Sequence, residues 1–228
     1  MISAEQFKAL TAQIHTYQAQ LVAVSKFQTI EKIEALYALG QRDFGENYVQ
    51  ELVTKYEYFK AKPEFQDIRW HFIGHLQRNK VKYIAPFVAM IHGVDSFKLL
   101  VEINKEAEKN AVTIPCLMQI FIATEESKFG MDATEAIEFM SYYQAQKEQL
   151  QHITLAGVMG MASFSNNESL VRSEFQKLIS IKQMLKSSYM LAHPNFKEVS
   201  MGMSADYEWA LAEGSTLVRI GSMLFGAR

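Results

Sequence analysis

Short apolar runs of strand length recur along this chain, separated by longer stretches in which apolar residues return every three or four positions. That alternation limits the possible folds more than any other feature. Parallel strands buried on both faces read as unbroken apolar runs, and the helices that connect them carry a 3.6-residue period. The runs are Leu21–Ser25, Arg42–Gly45, Ile68–Ile73, Phe87–Val94, Ile114–Ile122, Thr154–Met161, Phe196–Met201 and Thr216–Phe225. Helical sequence fills the intervals: from Thr29 to Gly40, from Glu46 to about Lys60, from Leu76 to Ile84, after a Ser96 cap, from Asp132, from a Ser165/Glu168 cap to near Lys186, and from a Ser204 cap to Gly214. One more helix stands in front, where Ser3 and Gln6 form a capping box ahead of Phe7, Leu10, Ile14 and Tyr17.

Eight strands, each followed by a helical stretch except the last, after which no helix is read, fit within 228 residues, which predicts an α/β fold: a (β/α)8 TIM barrel with an extra N-terminal helix. A doubly wound open sheet is the alternative, because closure leaves no mark on sequence. No Pro/Gly-rich seam or low-complexity tract divides the chain, so residues 1–228 are expected to form a single domain.

Charge narrows the partners. The net charge is −2, with acidic and basic residues interspersed, and no basic block tracks a nucleic-acid backbone. No apolar run approaches the ~18 residues of a membrane span, and the start lacks the charged and apolar regions of a secretory signal. Cys116 is the single cysteine. A cytoplasmic protein without disulfides is expected.

In such barrels the working residues lie at the C-terminal ends of the strands. Lys26 directly follows the first apolar run. It is either an amine nucleophile whose proton is loosened by a dry site, or a lysine snorkelling out of a strand end. Ser200-Met201-Gly202-Met203-Ser204 leads from the seventh strand to a helix, and Gly221-Ser222 follows the eighth. Glycines and hydroxyls at these two positions suggest a phosphate site, which barrels often build from the loops after strands seven and eight. Arg219 lies inside the last apolar run, facing either a ligand or a structural carboxylate. Asn47 and His75 are weaker candidates for ligand contact, and each could instead be structural. Met159 and Met161 suit packing beneath a ligand ring. Dispersed histidines and one cysteine give no metal spacing.

Several ordered segments resemble the pyridoxal phosphate homeostasis protein family, which is related to the barrel domain of alanine racemase. They are LVAVSK (Leu21–Lys26), DFGENYVQE (Asp43–Glu51), HFIGHLQRNK (His71–Lys80), KFGM (Lys128–Met131), GVMGM (Gly157–Met161) and the long stretch Ser200–Gly226. Thr29 departs from the proline common there in the family. The resemblance implies a pyridoxal 5′-phosphate (PLP) cofactor in Schiff-base linkage to Lys26. It implies a phosphate cup of Ser200, Gly202, Met203, Ser204, Gly221 and Ser222, with Arg219 opposite the pyridine nitrogen and Asn47 and Met159 beside the ring. His75 belongs to a family motif and joins the cofactor-binding set without a defined role. A role in PLP and amino-acid homeostasis follows, with PLP-dependent apoenzymes as possible partners and a monomeric or weakly dimeric state. The alternatives are a racemase-like PLP enzyme and, without PLP, a class I aldolase using Lys26. Against the racemase stands the opposite-face base that its second domain supplies, for which this sequence offers no good candidate.

Overall fold

The computed structural model of the chain describes residues 1–124 and 129–226; Lys128, the first residue of the KFGM segment, lies outside the described residues. Eight parallel strands close into a barrel in sequence order, the first pairing with the last. The N-terminal half runs α1 (Ala4–Thr16), β1 (Gln20–Val24), α2 (Ile30–Ala38), β2 (Asp43–Glu46), α3 (Val49–Lys60), β3 (Arg69–Phe72), α4 (Val81–Ile84), β4 (Met90–Val94) and α5 (Phe97–Lys109). It continues through β5 (Ile114–Ile120), α6 (Ala133–Gln146), β6 (Ile153–Gly160), α7 (Glu168–Tyr189), β7 (Glu198–Ser200), α8 (Tyr207–Ala212), β8 (Leu217–Ile220) and α9 (Ser222–Phe225). The open-sheet alternative is thereby excluded: Gln20 to Ala23 on β1 register with Leu217 to Ile220 on β8.

Alternation along each strand divides the buried residues into two layers. Leu21, Ala23, Val218 and Ile220 point outward into the shell between sheet and helices. Val22, Leu117, Met159 and Leu217 form a small apolar cluster of their own inside the barrel. The rest of the buried interior includes polar side chains: Asp43, His71, His92, Ser200 and Arg219. A TIM-barrel interior is usually filled by branched aliphatic side chains; this one also holds a hydrogen-bonded polar column.

Several sequence-based boundaries move, each for a local reason. Glu46 belongs to β2 rather than to a helix, because its carboxylate is buried against Ser25 and Lys55, and α3 starts only at Val49. The Leu76–Ile84 stretch is helical only in part. Exposed Arg78–Lys80 make a 3₁₀ turn, and only Val81 and Ile84 bury an apolar face. Phe87 and Val88 still donate to the Ile84 carbonyl, so β4 begins later, at Met90. The cap of α7 is Asn167, not Ser165. Ser204 caps nothing: α8 begins at Tyr207, and the Ser204 hydroxyl instead accepts a hydrogen bond from the Gly221 amide (3.3 Å). The last strand ends at Ile220 and gives way to α9, so the eighth unit has its helix. Among the described residues no helix is long and apolar enough to cross a membrane.

Candidate functional site

A cavity of about 520 Å³ opens at the C-terminal end of the strands. Its walls come from the segments after β1 (Lys26), β6 (Ser163–Asn166), β7 (Met203–Asp206) and β8 (Gly221, Ser222), with Arg219 contributed by β8 itself. A second cavity of about 340 Å³ lies at the opposite end, among Leu150, Ile153 and Pro194. The first carries the chemistry, because an amine, a guanidinium and four serines line it.

Lys26 is half-buried in that wall, and the backbone on both sides of it is fastened by a buried ion cluster. The Lys55 ammonium donates to the Ser25 carbonyl, to Glu46 and to Glu51, each at 2.7 Å. The Ser25 hydroxyl donates to Glu46 Oε1 (2.6 Å), and the Phe27 amide donates to Glu51. Burial pushes the Glu46 carboxyl above its ordinary range, and Lys55 pulls against that push. Phe27 adopts a left-handed φ of 61°, a conformation costly for a bulky side chain. The segment presenting Lys26 is therefore held in a shape that an unconstrained chain would leave.

Arg219 is 4% exposed. Its guanidinium donates to the Ser200 hydroxyl (2.6 Å) and to the Gly160 carbonyl (3.1 Å). No carboxylate of the described residues lies within ion-pair distance, so the structural ion pair left open by the sequence is not what holds it. Burial pulls its pKa down to about 10, with Asp206 opposing the fall; it is a cation at neutral pH.

The loops after β7 and β8 meet as the sequence suggests, joined by the Gly221–Ser204 hydrogen bond. Gly202 takes φ +90°, and a Cβ there would lie 2.5 Å from the Ala210 Cβ; at Gly221 one would lie 3.2 Å from the Val24 carbonyl oxygen. Both glycines let backbone pass where a side chain has no room. Met203 is anchored through its amide to Asp206 Oδ1 (2.6 Å).

Of the residues singled out from sequence, Lys26, Met203, Ser204, Arg219, Gly221 and Ser222 line the cavity. Ser200 is fully buried behind Arg219, and Gly202 shapes the loop from beneath. Met159 lies in the apolar interior cluster. Asn47 directly follows β2, which pairs with β1, the strand that leads to Lys26, and its buried Oδ1 has no hydrogen-bond partner among the described residues. His75 stands apart from the cavity: exposed, stacked on Phe129 with centroids 4.5 Å apart, its Nδ1 3.1 Å from Asp95.

Sequence reasoning missed Asp43, His71 and His92, the polar column beneath Arg219, and the Lys55/Glu46/Glu51 clamp. A signal existed for the column. Each of its members is a polar residue within a strand-length segment, the pattern that singled out Arg219.

Residues 4–228 match the family model described as the alanine racemase N-terminal domain. A protein named pyridoxal phosphate homeostasis protein from Aquifex aeolicus is 39% identical over 210 residues, covering 92% of this chain and 87% of the relative. The protein of that name from Vibrio alginolyticus is 38% identical, covering 92% and 86%. The solved structure of PipY from Synechococcus elongatus with PLP bound superposes with a TM-score of 0.85 at 31% identity, covering 98% of this chain and 99% of that one. With the barrel and its amine-bearing mouth in place, this similarity over nearly the whole length means that the chain belongs to the pyridoxal phosphate homeostasis protein family, built on the alanine racemase N-terminal-domain barrel.

Proposed function

We propose that this chain, as one barrel domain, binds PLP as a Schiff base on Lys26 and serves cytoplasmic PLP and amino-acid homeostasis, holding the cofactor for PLP-dependent apoenzymes. The observation that carries the reading is Arg219: a buried cation with no carboxylate at ion-pair distance among the described residues, in the same cavity wall as Lys26. A charge kept dry without a direct ion pair is costly, and a ligand bearing both an anionic group and an aromatic nitrogen would relieve it. The donors match PLP group by group: an amine for the aldehyde, hydroxyls and loop amides beside two space-making glycines for the phosphate, and a permanent donor for the ring nitrogen.

When bound, PLP supplies an aldehyde carbon that condenses with an amine and an aromatic ring able to accept electrons. The Lys26 amine, in its unprotonated form, would be the nucleophile that meets such an aldehyde. Ser204, Gly221 and Ser222 in the cavity wall would hold the phosphate, with Met203 supplying loop backbone; the family resemblance puts Asn47 and Met159 beside the ring. Arg219 gives up no proton, so a ring nitrogen facing it would stay unprotonated and the ring would draw electrons weakly. That suits an anchor better than a catalyst. A racemase-like activity is the second reading, although the His75–Asp95 pair at the C-terminal end of the barrel stands outside the cavity wall. α-Proton exchange of amino acids in deuterated water tests it, and no exchange across a broad panel would count against it.

The test of the main reading is direct. Added PLP is expected to give a visible absorption band, and borohydride reduction should then fix the cofactor's mass on the Lys26 peptide. An unchanged band in Lys26→Ala would overturn the Schiff-base assignment.

A further inference from the structure

A continuous file of hydrogen bonds crosses the barrel interior beneath Arg219. Arg219 Nη1 lies 2.6 Å from Ser200 Oγ, and Ser200 Oγ lies 2.9 Å from His92 Nδ1. His92 Nε2 lies 2.9 Å from His71 Nδ1, and His71 Nε2 lies 2.9 Å from Asp43 Oδ1. Five side chains from β8, β7, β4, β3 and β2 thus connect the cofactor end of the barrel to the start of β2, where Arg69 grips the same carboxylate through Nε and Nη2. All five are 0 to 7% exposed.

We infer that Ser200, His92, His71 and Asp43 form a relay of fixed polarity that holds Arg219 as a hydrogen-bond donor toward the cavity and links it to a carboxylate across the barrel. The functional half of this inference rests on the PLP reading; the polarity does not. It follows from the two ends. A guanidinium can only donate, and an ionised carboxylate can only accept. Ser200 accepts from Arg219 and so has its single proton to give to His92 Nδ1. His92 must then carry its hydrogen on Nε2 and donate to His71 Nδ1, which leaves the His71 hydrogen on Nε2, facing Asp43. Each gap holds one hydrogen, with neither imidazole charged. Burial, with the Arg219 guanidinium adding repulsion, keeps His92 from taking a proton. The hydrogen bonds of His71 and Arg69 hold Asp43 ionised against the opposing effect of burial.

These are positioning residues. A guanidinium bound only by the Gly160 carbonyl could swing in the cavity; the relay takes one of its nitrogens and leaves the rest of the fork directed by packing. A fully satisfied buried network of this kind rigidifies its members, and breaking any link orphans two buried polar groups.

The polarity is tested on the protein without PLP, by ¹⁵N-histidine NMR. Both His71 and His92 should appear as neutral Nε2–H tautomers from pH 7 to 9; a neutral Nδ1–H form of either, or an imidazolium at pH 7, overturns the relay. The positioning role is tested with Ser200→Ala, Ser200→Thr and His92→Leu, each checked for fold by circular dichroism. Ser200→Ala and His92→Leu should weaken PLP about tenfold, the size of one lost buried hydrogen bond, and move the pH profile of the bound band in the same direction. Ser200→Thr should restore both. The double variant should be no worse than either single one, because both break one connected network. A wild-type protein without the band defeats the cofactor reading and, with it, the positioning role. A wild-type band whose affinity and pH profile Ser200→Ala leaves untouched overturns the positioning role alone. Should His92→Leu not fold, the Ser200 pair decides.

Discussion

Gly202 turns the chain out of β7 at φ +90°, and the space a side chain would need is already taken by Ala210 and by the backbone of Tyr207, 3.1 Å from an added Cβ. Gly202→Ala should therefore cost roughly 2–4 kcal/mol from backbone strain and overpacking together. It should also loosen the cup, since Met203 and Ser204 follow directly. Urea denaturation and PLP titration measure both; an unchanged midpoint would mean that the loop relaxes freely. The residues around this glycine were readable from sequence because each breaks a local pattern: a lysine at the end of an apolar run, an arginine within one, paired glycines and hydroxyls after two strands. Asp43, His71 and His92 break the same pattern, yet their meaning depends on register. His92 and Ser200 stand 108 positions apart on β4 and β7, and only the closed barrel brings them to 2.9 Å. Lys55 gave no signal at all. In sequence it is one of several charged residues on a helix, and only the fold turns it inward beneath Lys26.

At the scale of elements, length decided what could be read. α1, α5 and α7 are long enough for several returns of the 3.6-residue period, and each was found close to its place. β7 spans three residues and α8 six, too short for a period to declare itself, so their limits are set by neighbours: Ser215 bonds the Met201 carbonyl and Asp206 bonds the Met203 amide. The start of α7 shows how two good signals compete. Ser165 and Asn167 both offer cap chemistry; the chain uses Asn167, whose side chain accepts from the Leu170 amide (3.2 Å), while the Ser165 hydroxyl accepts from the Asn167 amide (3.1 Å). Asn167→Ala should then destabilise the protein by about 1 kcal/mol, as loss of an N-cap does, and Ser165→Ala by clearly less. Equal losses in thermal melts would place the cap elsewhere. Because this turn also lines the cavity, the comparison reports as well on how firmly the segment after β6 is held.

For the whole molecule, the buried titratable groups set how stability changes with pH. His92 is held neutral by burial, well below its ordinary 6.5. Below that value the unfolded chain takes up a proton that the folded one refuses, so stability falls as the medium becomes more acidic, by up to about 1.4 kcal/mol per pH unit. Asp43 acts lower down. Its pKa lies beneath the ordinary 3.8 despite burial, so its contribution is present above that value and disappears as pH falls through the folded one. Glu46 works in the opposite sense just above its ordinary 4.5, because burial raises it and the folded state keeps its proton longer. On the alkaline side, burial pushes the Cys116 thiol well above its ordinary 9.0. The unfolded thiol ionises first, and stability falls again above that point. Urea midpoints measured from pH 5 to 10 should therefore peak between about 7 and 8.5, with an acid limb starting near 6.5 and an alkaline one near 9. The two limbs separate by mutation. His92→Leu, whatever its cost at pH 7.5, should flatten the acid limb and leave the alkaline one, and Cys116→Ala should do the reverse. An acid limb of unchanged slope in a folded His92→Leu protein would show that the polar column is not what makes this barrel sensitive to acid.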